Sequence, residues 1–327
     1  MKASLPRPAH ESHEHLSVTL ETMSQVPSSK AQPQSSDRAV LLIDCPDQKG
    51  LVARVSGLLY AQGANILHAD QHQDHELGLF FMRVEWALDS DTPSGEERRS
   101  EDRIAAFTRA FAPLAKELQM RWQLHQTNQK PRVALFCSQY LHCVADLLHR
   151  GSSGELACEI AVIVSNHRNV EKLAAFHGVR FEYVPVTSAT REQAETQQLA
   201  LLQSLGVELV VLARYMQILT ETFVARYPAS IINVHHSFLP AFIGARPYHA
   251  AHARGVKLIG ATSHYVTTEL DDGPIIEQDV ARISHRDQVE DLVARGRDLE
   301  RIVLSRAVRW HLQHRILCYG NKTVVFD

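Results

Sequence analysis

Hydrophobic and polar positions divide the chain into a polar beginning and two regions of recurring apolar runs. Residues 1–37 are rich in Ser, Pro, Gln and His and contain few branched or aromatic side chains. Such a segment cannot bury enough apolar surface to offset the entropy of ordering, so we predict a disordered tail. A polar break that ends in proline interrupts the later pattern at 127–131. We therefore predict a first folded domain over 38–126, a linker over 127–131 and a larger domain over 132–327.

The first domain has the predicted element order strand, helix, strand, strand, helix, strand. Apolar residues recur at helical spacing in two of its stretches and form short or alternating runs in the others. The predicted strands are 39–43, 65–67, 77–88 and 121–126, and the predicted helices are 51–61 and 98–118. This order is that of a ferredoxin-like α/β sandwich.

Two short segments of the first domain carry a family resemblance. They are Asp47-Gln-Lys-Gly50-Leu-Val and Gly63-Ala-Asn65-Ile, and they resemble an ACT domain. ACT domains commonly sense amino acids and often pair through their sheets, so the resemblance implies an amino-acid effector and a homo-oligomer. Free N–H groups at a helix N-terminus favour a small carboxylate. The candidate effector-binding residues are Asp47, Lys49, Gly50 and Asn65; a pairing module without a ligand is the alternative.

The larger domain alternates buried strands with amphipathic helices. Its predicted strands are 133–137, 160–164, 179–184 and 208–213, and its predicted helices are 141–149, 170–177 and 191–205. Alternation of this kind implies parallel crossovers, so the fold class is α/β with a doubly wound, mostly parallel sheet. Ligands of such sheets bind beyond the carboxyl ends of the strands. The segments at that edge are 136–140, 165–167, 214–220 and 233–240.

The loop after the first strand of this sheet, Phe136-Cys-Ser-Gln-Tyr140, contains no glycine. A phosphate cradle needs backbone N–H groups close to the anion, which favours glycine at that turn. The sequence also contains no G-x-G-x-x-G or Walker pattern. A nicotinamide dehydrogenase or a nucleotide kinase is therefore disfavoured.

Candidate catalytic residues are concentrated between Ile231 and Asp279. Alternation along the strand that begins at Ile231 places Asn233 and His235 on one face. Two further strands, 258–265 and 275–280, enclose a loop with Asp271. An amide donor and an imidazole can stabilise charge on a carbonyl oxygen, and a carboxylate can orient water or favour the charged imidazole. Viewed alone, Asp271-Asp-Gly273 would be an ordinary turn.

Three motifs in this stretch resemble the formyltransferase-fold enzymes that use 10-formyltetrahydrofolate. They are Asn233-Val-His235-His-Ser-Phe-Leu-Pro240, Gly260-Ala-Thr-Ser-His264-Tyr-Val and Leu270-Asp271-Asp-Gly273-Pro-Ile. The resemblance implies that Asn233, His235 and Asp271 form the catalytic trio. It also implies that one loop lines the pterin pocket, through backbone groups and apolar side chains. The residues of this loop are Arg214, Tyr215, Met216, Gln217, Ile218 and Leu219; core packing is the alternative role of the apolar ones.

Other segments narrow the resemblance to the formyltetrahydrofolate deformylases. They are 241–249, the closing Tyr319-Gly-Asn-Lys-Thr323 and the ACT-like first domain. The expected reaction is hydrolysis of 10-formyltetrahydrofolate to tetrahydrofolate and formate, in support of one-carbon and purine metabolism, with no cofactor and no metal. Glycinamide ribonucleotide formyltransferases share the fold but have a glycine-rich first loop for a phosphorylated acceptor, which this chain lacks.

Two other enzymatic functions remain as alternatives. One is transfer of the formyl group from the folate to a small amine. The other is a metal-dependent hydrolase, because five histidines lie close together in the sequence, and zinc sites need three or four convergent ligands. These histidines are His235, His236, His249, His252 and His264. A non-enzymatic amino-acid-sensing module would require the trio to be coincidental.

Composition excludes several partners. The chain has 34 Lys plus Arg against 37 Asp plus Glu and a formal net charge of -3, which disfavours nucleic acid as a partner. Its five cysteines are scattered and form no C-x-x-C pair, so a reducing cytoplasm is the expected compartment. No apolar run reaches the ~18–20 residues of a membrane span. Of the 19 histidines, only His235 is expected to take part in the chemistry.

Overall fold

The computed structural model describes residues 37–88, 100–241 and 247–326. The predicted tail therefore lies outside the described residues, apart from Asp37. The described residues form a four-stranded sheet, a seven-stranded sheet and a two-stranded hairpin. None of the helices in these ranges is both long enough and apolar enough to cross a membrane.

The first domain has the predicted order of elements and an antiparallel sheet in the order β2-β3-β1-β4. The elements are β1 (Arg38–Pro46), α1 (Leu51–Ala61), β2 (Asn65–Asp74), β3 (Leu79–Ala87), α2 (Ser100–Glu117) and β4 (Arg121–Gln126). Strand β2 is much longer than its predicted 65–67. It is an edge strand with no fully buried residue, so backbone pairing with β3 holds it and its sequence shows no alternation of buried and exposed positions.

The two faces of the first sheet are covered by different parts of the chain. Leu41 and Ile43 of β1 pack against the helices, whereas Val40 and Leu42 point to the opposite face. That opposite face is covered by a segment from the far end of the sequence, whose contact residues are Leu317, Tyr319, Val324 and Phe326. The segment forms a hairpin of β12 (Ile316–Tyr319) and β13 (Lys322–Val325). Part of the stretch predicted as the larger domain therefore completes the core of the first.

The larger domain is the doubly wound, mostly parallel sheet that the sequence predicts. Its strand order is β11-β10-β9-β8-β5-β6-β7, in which β10 runs antiparallel to both of its neighbours. The strands are β5 (Arg132–Cys137), β6 (Glu159–Ser165), β7 (Phe181–Tyr183), β8 (Leu209–Leu212), β9 (Ile231–His235), β10 (Leu258–Tyr265) and β11 (Ile275–Arg282). The helices are α3 (His142–Ser152), α4 (Glu171–Phe176), α5 (Arg191–Ser204), α6 (Glu221–Arg226), α7 (Pro247–Arg254) and α8 (Val289–Leu312).

Alternate residues of the central strand β5 enter two separate cores. Leu135 and Cys137 pack with α3 and α8 on one face, while Ala134 and Phe136 pack with α5 and α6 on the other. Because both faces are covered, β5 is apolar from Val133 to Cys137, and β8 is apolar throughout. This arrangement leaves the carboxyl edge of the sheet as the place for a site.

Candidate active site

Pairing of β9 with β10 places two polar side chains opposite each other at the edge of the sheet. Asn233 on β9 is the register partner of His264 on β10. Directly paired residues have their side chains on the same face of a sheet. The Asn233 Nδ2 atom accordingly lies 3.2 Å from His264 Nε2. His264 is buried, and its Nδ1 lies 2.9 Å from the carbonyl oxygen of Tyr265.

Asp271 reaches this pair from the loop between β10 and β11. The loop folds back closely against β10, since a Cβ atom on Gly273 would lie 1.8 Å from the carbonyl oxygen of Tyr265. Asp271 itself has a positive φ of 55°, in the left-handed region where Asp is among the tolerated residues. Its Oδ2 lies 3.2 Å from His235 Nδ1, and its Oδ1 lies 3.7 Å from His264 Nε2. The structure thus brings the three predicted catalytic residues together and adds His264.

The two imidazoles keep Asp271 ionised. Burial alone would raise the pKa of Asp271, but hydrogen bonds and charge from His235 and His264 outweigh it and hold that pKa far below its usual range. The Nδ1 of His235 lies against the carboxylate, while its Nε2 is buried without a hydrogen-bond partner among the described residues. A buried polar atom left unpaired costs about 1–3 kcal/mol, which favours a ligand atom at this position.

A cavity of about 320 Å³ lies in front of these side chains. It is lined by the trio, by His264, by residues 266–270 and by the whole predicted folate loop, Arg214, Tyr215, Met216, Gln217, Ile218 and Leu219. Met216 and Ile218 are 49% and 52% exposed, so their side chains are not core residues. Such a surface, apolar with polar groups at its edge, suits a flat heterocycle.

Two residues of the folate loop have side chains directed elsewhere. Tyr215 is buried against Phe136, and its hydroxyl accepts a hydrogen bond from Gln198 Nε2, so only its backbone and ring edge remain for a ligand. Arg214 has a φ of 63°, and its buried guanidinium lies 3.4 Å from a carboxylate oxygen of Glu300. Sequence reasoning missed Glu300, which lies on α8 and carries no motif.

The candidate effector residues do not form one site within a chain. Asp47 and Gly50 lie together at the start of α1, where Gly50 adopts a φ of 88°. Asn65 follows the C-terminal end of that helix. At 1.5 Å per residue, the helix separates the two groups by roughly 16 Å. The prediction grouped these residues by motif, although the predicted helix over 51–61 already separates Gly50 from Asn65 along the chain.

Within the described residues, one group of side chains has the geometry of metal ligands, and it contains none of the five histidines of the metal alternative. The ligand atoms that lie within 4.8 Å of one another belong to His142, Cys143 and Glu300. Burial raises the pKa of the Cys143 thiol well above its ordinary value, which opposes the thiolate that metals bind. Both oxygens of Glu300 already accept hydrogen bonds, one from Tyr248 and one from His142. This cluster therefore gives the metal alternative no support.

Comparison with known protein families defines the class of protein. The family model described as formyl transferase matches residues 131–308, and the ACT domain model matches residues 39–85. The larger domain is thus a formyl transferase domain, and the first is an ACT domain, which confirms both predicted fold assignments.

Similar proteins narrow the class further. A formyltetrahydrofolate deformylase from Synechocystis sp. is 54% identical over 288 residues, which cover 88% of this chain and 98% of that protein. The formyltetrahydrofolate deformylase of Bacillus subtilis is 47% identical, with 90% and 95% covered. A crystal structure of a formyltetrahydrofolate deformylase from Pseudomonas syringae pv. tomato superposes with a TM-score of 0.84 at 46% identity, covering 90% of this chain and 96% of that one. The chain belongs to the formyltetrahydrofolate deformylase family.

Proposed function

We propose that Asn233, His235 and Asp271 hydrolyse 10-formyltetrahydrofolate to tetrahydrofolate and formate, the reaction for which the family is named. The observation that carries this assignment is the environment of His235. Its Nδ1 lies 3.2 Å from an ionised carboxylate, and its unpaired Nε2 lies in the wall of the cavity that also contains Asn233. Such an imidazole can hold a proton and deliver it to a leaving group.

In the proposed reaction, the pterin lies along the loop that contains Met216 and Ile218, and the formyl group lies at the trio. The Asn233 amide N–H and His235 stabilise the formyl oxygen as water adds to its carbon. Asp271 orients that water and places its negative charge beside His235 Nδ1. Because the pKa of Asp271 is low, the carboxylate is a weak base, and the water gives its proton to Asp271 only as the new C–O bond makes the water acidic. His235 then protonates the folate nitrogen as the C–N bond breaks.

One incubation tests the assignment. The protein is supplied with 10-formyltetrahydrofolate alone, with no amine acceptor, no NADP and a chelator present. Equal amounts of formate and tetrahydrofolate are expected, since water is the only acceptor needed. Product that forms only after an amine is added would instead establish the transferase alternative. Activity that the chelator removes and a metal ion restores would establish the metal alternative.

The ACT domain suggests regulation by a small molecule, and we propose an amino acid as its effector and a homo-oligomer as its assembly. The hairpin covers one face of the ACT sheet, which leaves the two edge strands, β2 and β4, as the pairing surfaces that this sheet offers. Sedimentation with and without single amino acids tests both points. The five cysteines are free thiols, which suits a reducing cytoplasm. We propose that the enzyme supports one-carbon and purine metabolism in that compartment.

A further inference from the structure

A second cavity adjoins the folate cavity and shares Arg214 and His236 with it. It has a volume of about 390 Å³, and we call it the cationic chamber. Its lining residues are Tyr140, His142, Arg214, His236, Pro247, Tyr248, His249, Val293, Arg297 and Glu300. Arg214 and His236 line both cavities, and the ring of His236 lies 5.1 Å from that of His235. The chamber therefore begins next to the proposed reaction centre.

Glu300 is the only carboxylate in the wall of the chamber among the described residues, and both of its oxygens are already hydrogen-bonded. Its Oε2 lies 2.7 Å from His142 Nε2, and its Oε1 accepts a 2.7 Å hydrogen bond from the Tyr248 hydroxyl. Burial alone would raise the pKa of Glu300, but the bond from His142 and the charge of Arg214 lower it. Glu300 is 1% exposed, so its charge anchors neighbouring side chains instead of facing a ligand.

The remaining charge in the chamber is positive. Arg214 is nine-tenths buried, and its Nη1 has no hydrogen-bond partner among the described residues. Both arginines lie over the ring of Tyr140. The guanidinium carbon of Arg214 is 5.3 Å from the ring centroid, and that of the exposed Arg297 is 5.7 Å from it. The wall of the chamber thus contains two positive guanidinium groups and one negative carboxylate, leaving the histidines aside. A buried guanidinium with an unpaired N–H group is a strong binder of small carboxylates.

We propose that the cationic chamber binds formate and lets it leave while tetrahydrofolate still occupies the pterin cavity. The inference rests on the proposed function. Hydrolysis releases formate between the trio and the folate product, so the folate blocks the route back through its own cavity. The chamber is contiguous with that point through Arg214 and His236, and its positive charge attracts the anion. Arg214 and Arg297 are the residues that hold it.

Direct binding of ¹³C-formate to the full chain tests the proposal by NMR titration, with and without saturating tetrahydrofolate. Formate is expected to bind in both conditions, because the two products occupy different cavities. Arg297→Gln should weaken formate binding about fivefold, since one charge-assisted contact is lost at an exposed position. Arg301→Gln is the matched control, on the same helix but outside the chamber, and should leave formate affinity and turnover unchanged.

Three results would overturn the proposal: no formate binding at millimolar concentration, displacement of formate by tetrahydrofolate, or equal affinities in Arg297→Gln and Arg301→Gln. Glu300→Gln is a further check, because it should change formate affinity in the opposite direction to Arg297→Gln. Removing the negative charge of Glu300 should tighten formate binding. Circular dichroism establishes that each variant is folded. These binding measurements need no turnover, so failure of the chamber to bind formate is distinguished from failure of the proposed function, which the acceptor-free hydrolysis assay tests.

Discussion

Asn233 and His264 are held together across strands β9 and β10, with 3.2 Å between Nδ2 and Nε2. The direction of this hydrogen bond follows from the contact that Nδ1 makes on the other side of the imidazole. A carbonyl oxygen only accepts, so the Nδ1 atom of His264 carries the hydrogen that faces the Tyr265 carbonyl. In the neutral ring, Nε2 then accepts from the Asn233 amide, whereas Nε2 can donate towards Asp271 Oδ1, 3.7 Å away, only in the charged ring. The backbone of β10 thereby fixes the orientation of the side-chain amide of Asn233.

Replacement of His264 by Ala should lower kcat with little change in KM. The amide of Asn233 would lose its fixed orientation, and misplacement of a group that stabilises the transition state costs about 10- to 100-fold in rate. Steady-state kinetics separates the two parameters. His264→Gln retains an acceptor for the Asn233 amide and should recover part of the lost rate. If the loss of kcat in both variants equalled the fraction of protein that is unfolded, this positioning role would be refuted.

Replacement of Asp271 by Asn should remove most turnover and leave folate affinity nearly unchanged. The amide can neither accept the proton of the attacking water nor place a negative charge beside His235, and loss of an acid–base partner costs about 10²–10⁴-fold. Formate release measures the rate, and quenching of protein fluorescence by tetrahydrofolate measures binding. The neighbouring Asp272 is exposed and serves as the matched control, so Asp272→Asn should retain activity. Near-normal turnover in Asp271→Asn would exclude the assignment.

Replacement of Gly273 by Ala should displace the loop that carries Asp271. The added Cβ would lie 1.8 Å from a backbone oxygen, so the loop and β10 must separate. We expect a loss of about 1–3 kcal/mol in the free energy of unfolding. The rate should fall by at least tenfold, since the carboxylate moves away from His235. Denaturant unfolding and formate release measure the two effects. Gly57→Ala, where a Cβ meets nothing within 4 Å, is the control and should show neither effect.

Acid should lower the free energy of unfolding through two partly buried histidines, His311 and His314. Burial, with a smaller effect from His125, lowers the pKa of His311 to about 4, and burial lowers that of His314 to about 3. An unfolded histidine has a pKa of about 6.5. Between these values the unfolded state binds more protons than the folded state, so stability present at neutral pH is lost as pH falls from about 6.5 towards 4.

The variant His311→Gln removes one of these titrations. Its free energy of unfolding should therefore fall less than that of the wild type between pH 7 and pH 5. The hydrogen bond from the Tyr265 hydroxyl is lost or altered at every pH, which lowers stability by a constant amount and leaves the slope informative. His285→Gln replaces an exposed histidine and should retain the wild-type slope. Identical slopes in the wild type and His311→Gln would contradict the prediction.

The sequence predicted those parts of the site that depend on local pattern. Alternation along β9 placed Asn233 and His235 on one face, and the family motif identified Asp271. The sequence could not show that His142 and Glu300, 158 residues apart, meet at 2.7 Å beneath the site. Contacts of that kind depend on how α3 and α8 pack, and no periodicity encodes them. The length of β2 was missed for a related reason, because an edge strand held by backbone bonds needs no apolar alternation.

The C-terminal hairpin has a consequence for synthesis. Arg83 on β3 donates a hydrogen bond to the carbonyl oxygen of His314, 231 residues later, just before the hairpin that covers Val40, Leu42 and Phe81. A ribosome that adds about 5–20 residues per second needs roughly 10 to 50 seconds to cover that distance. During this interval the nascent ACT sheet has one apolar face exposed. The domain that is made first is thus completed last.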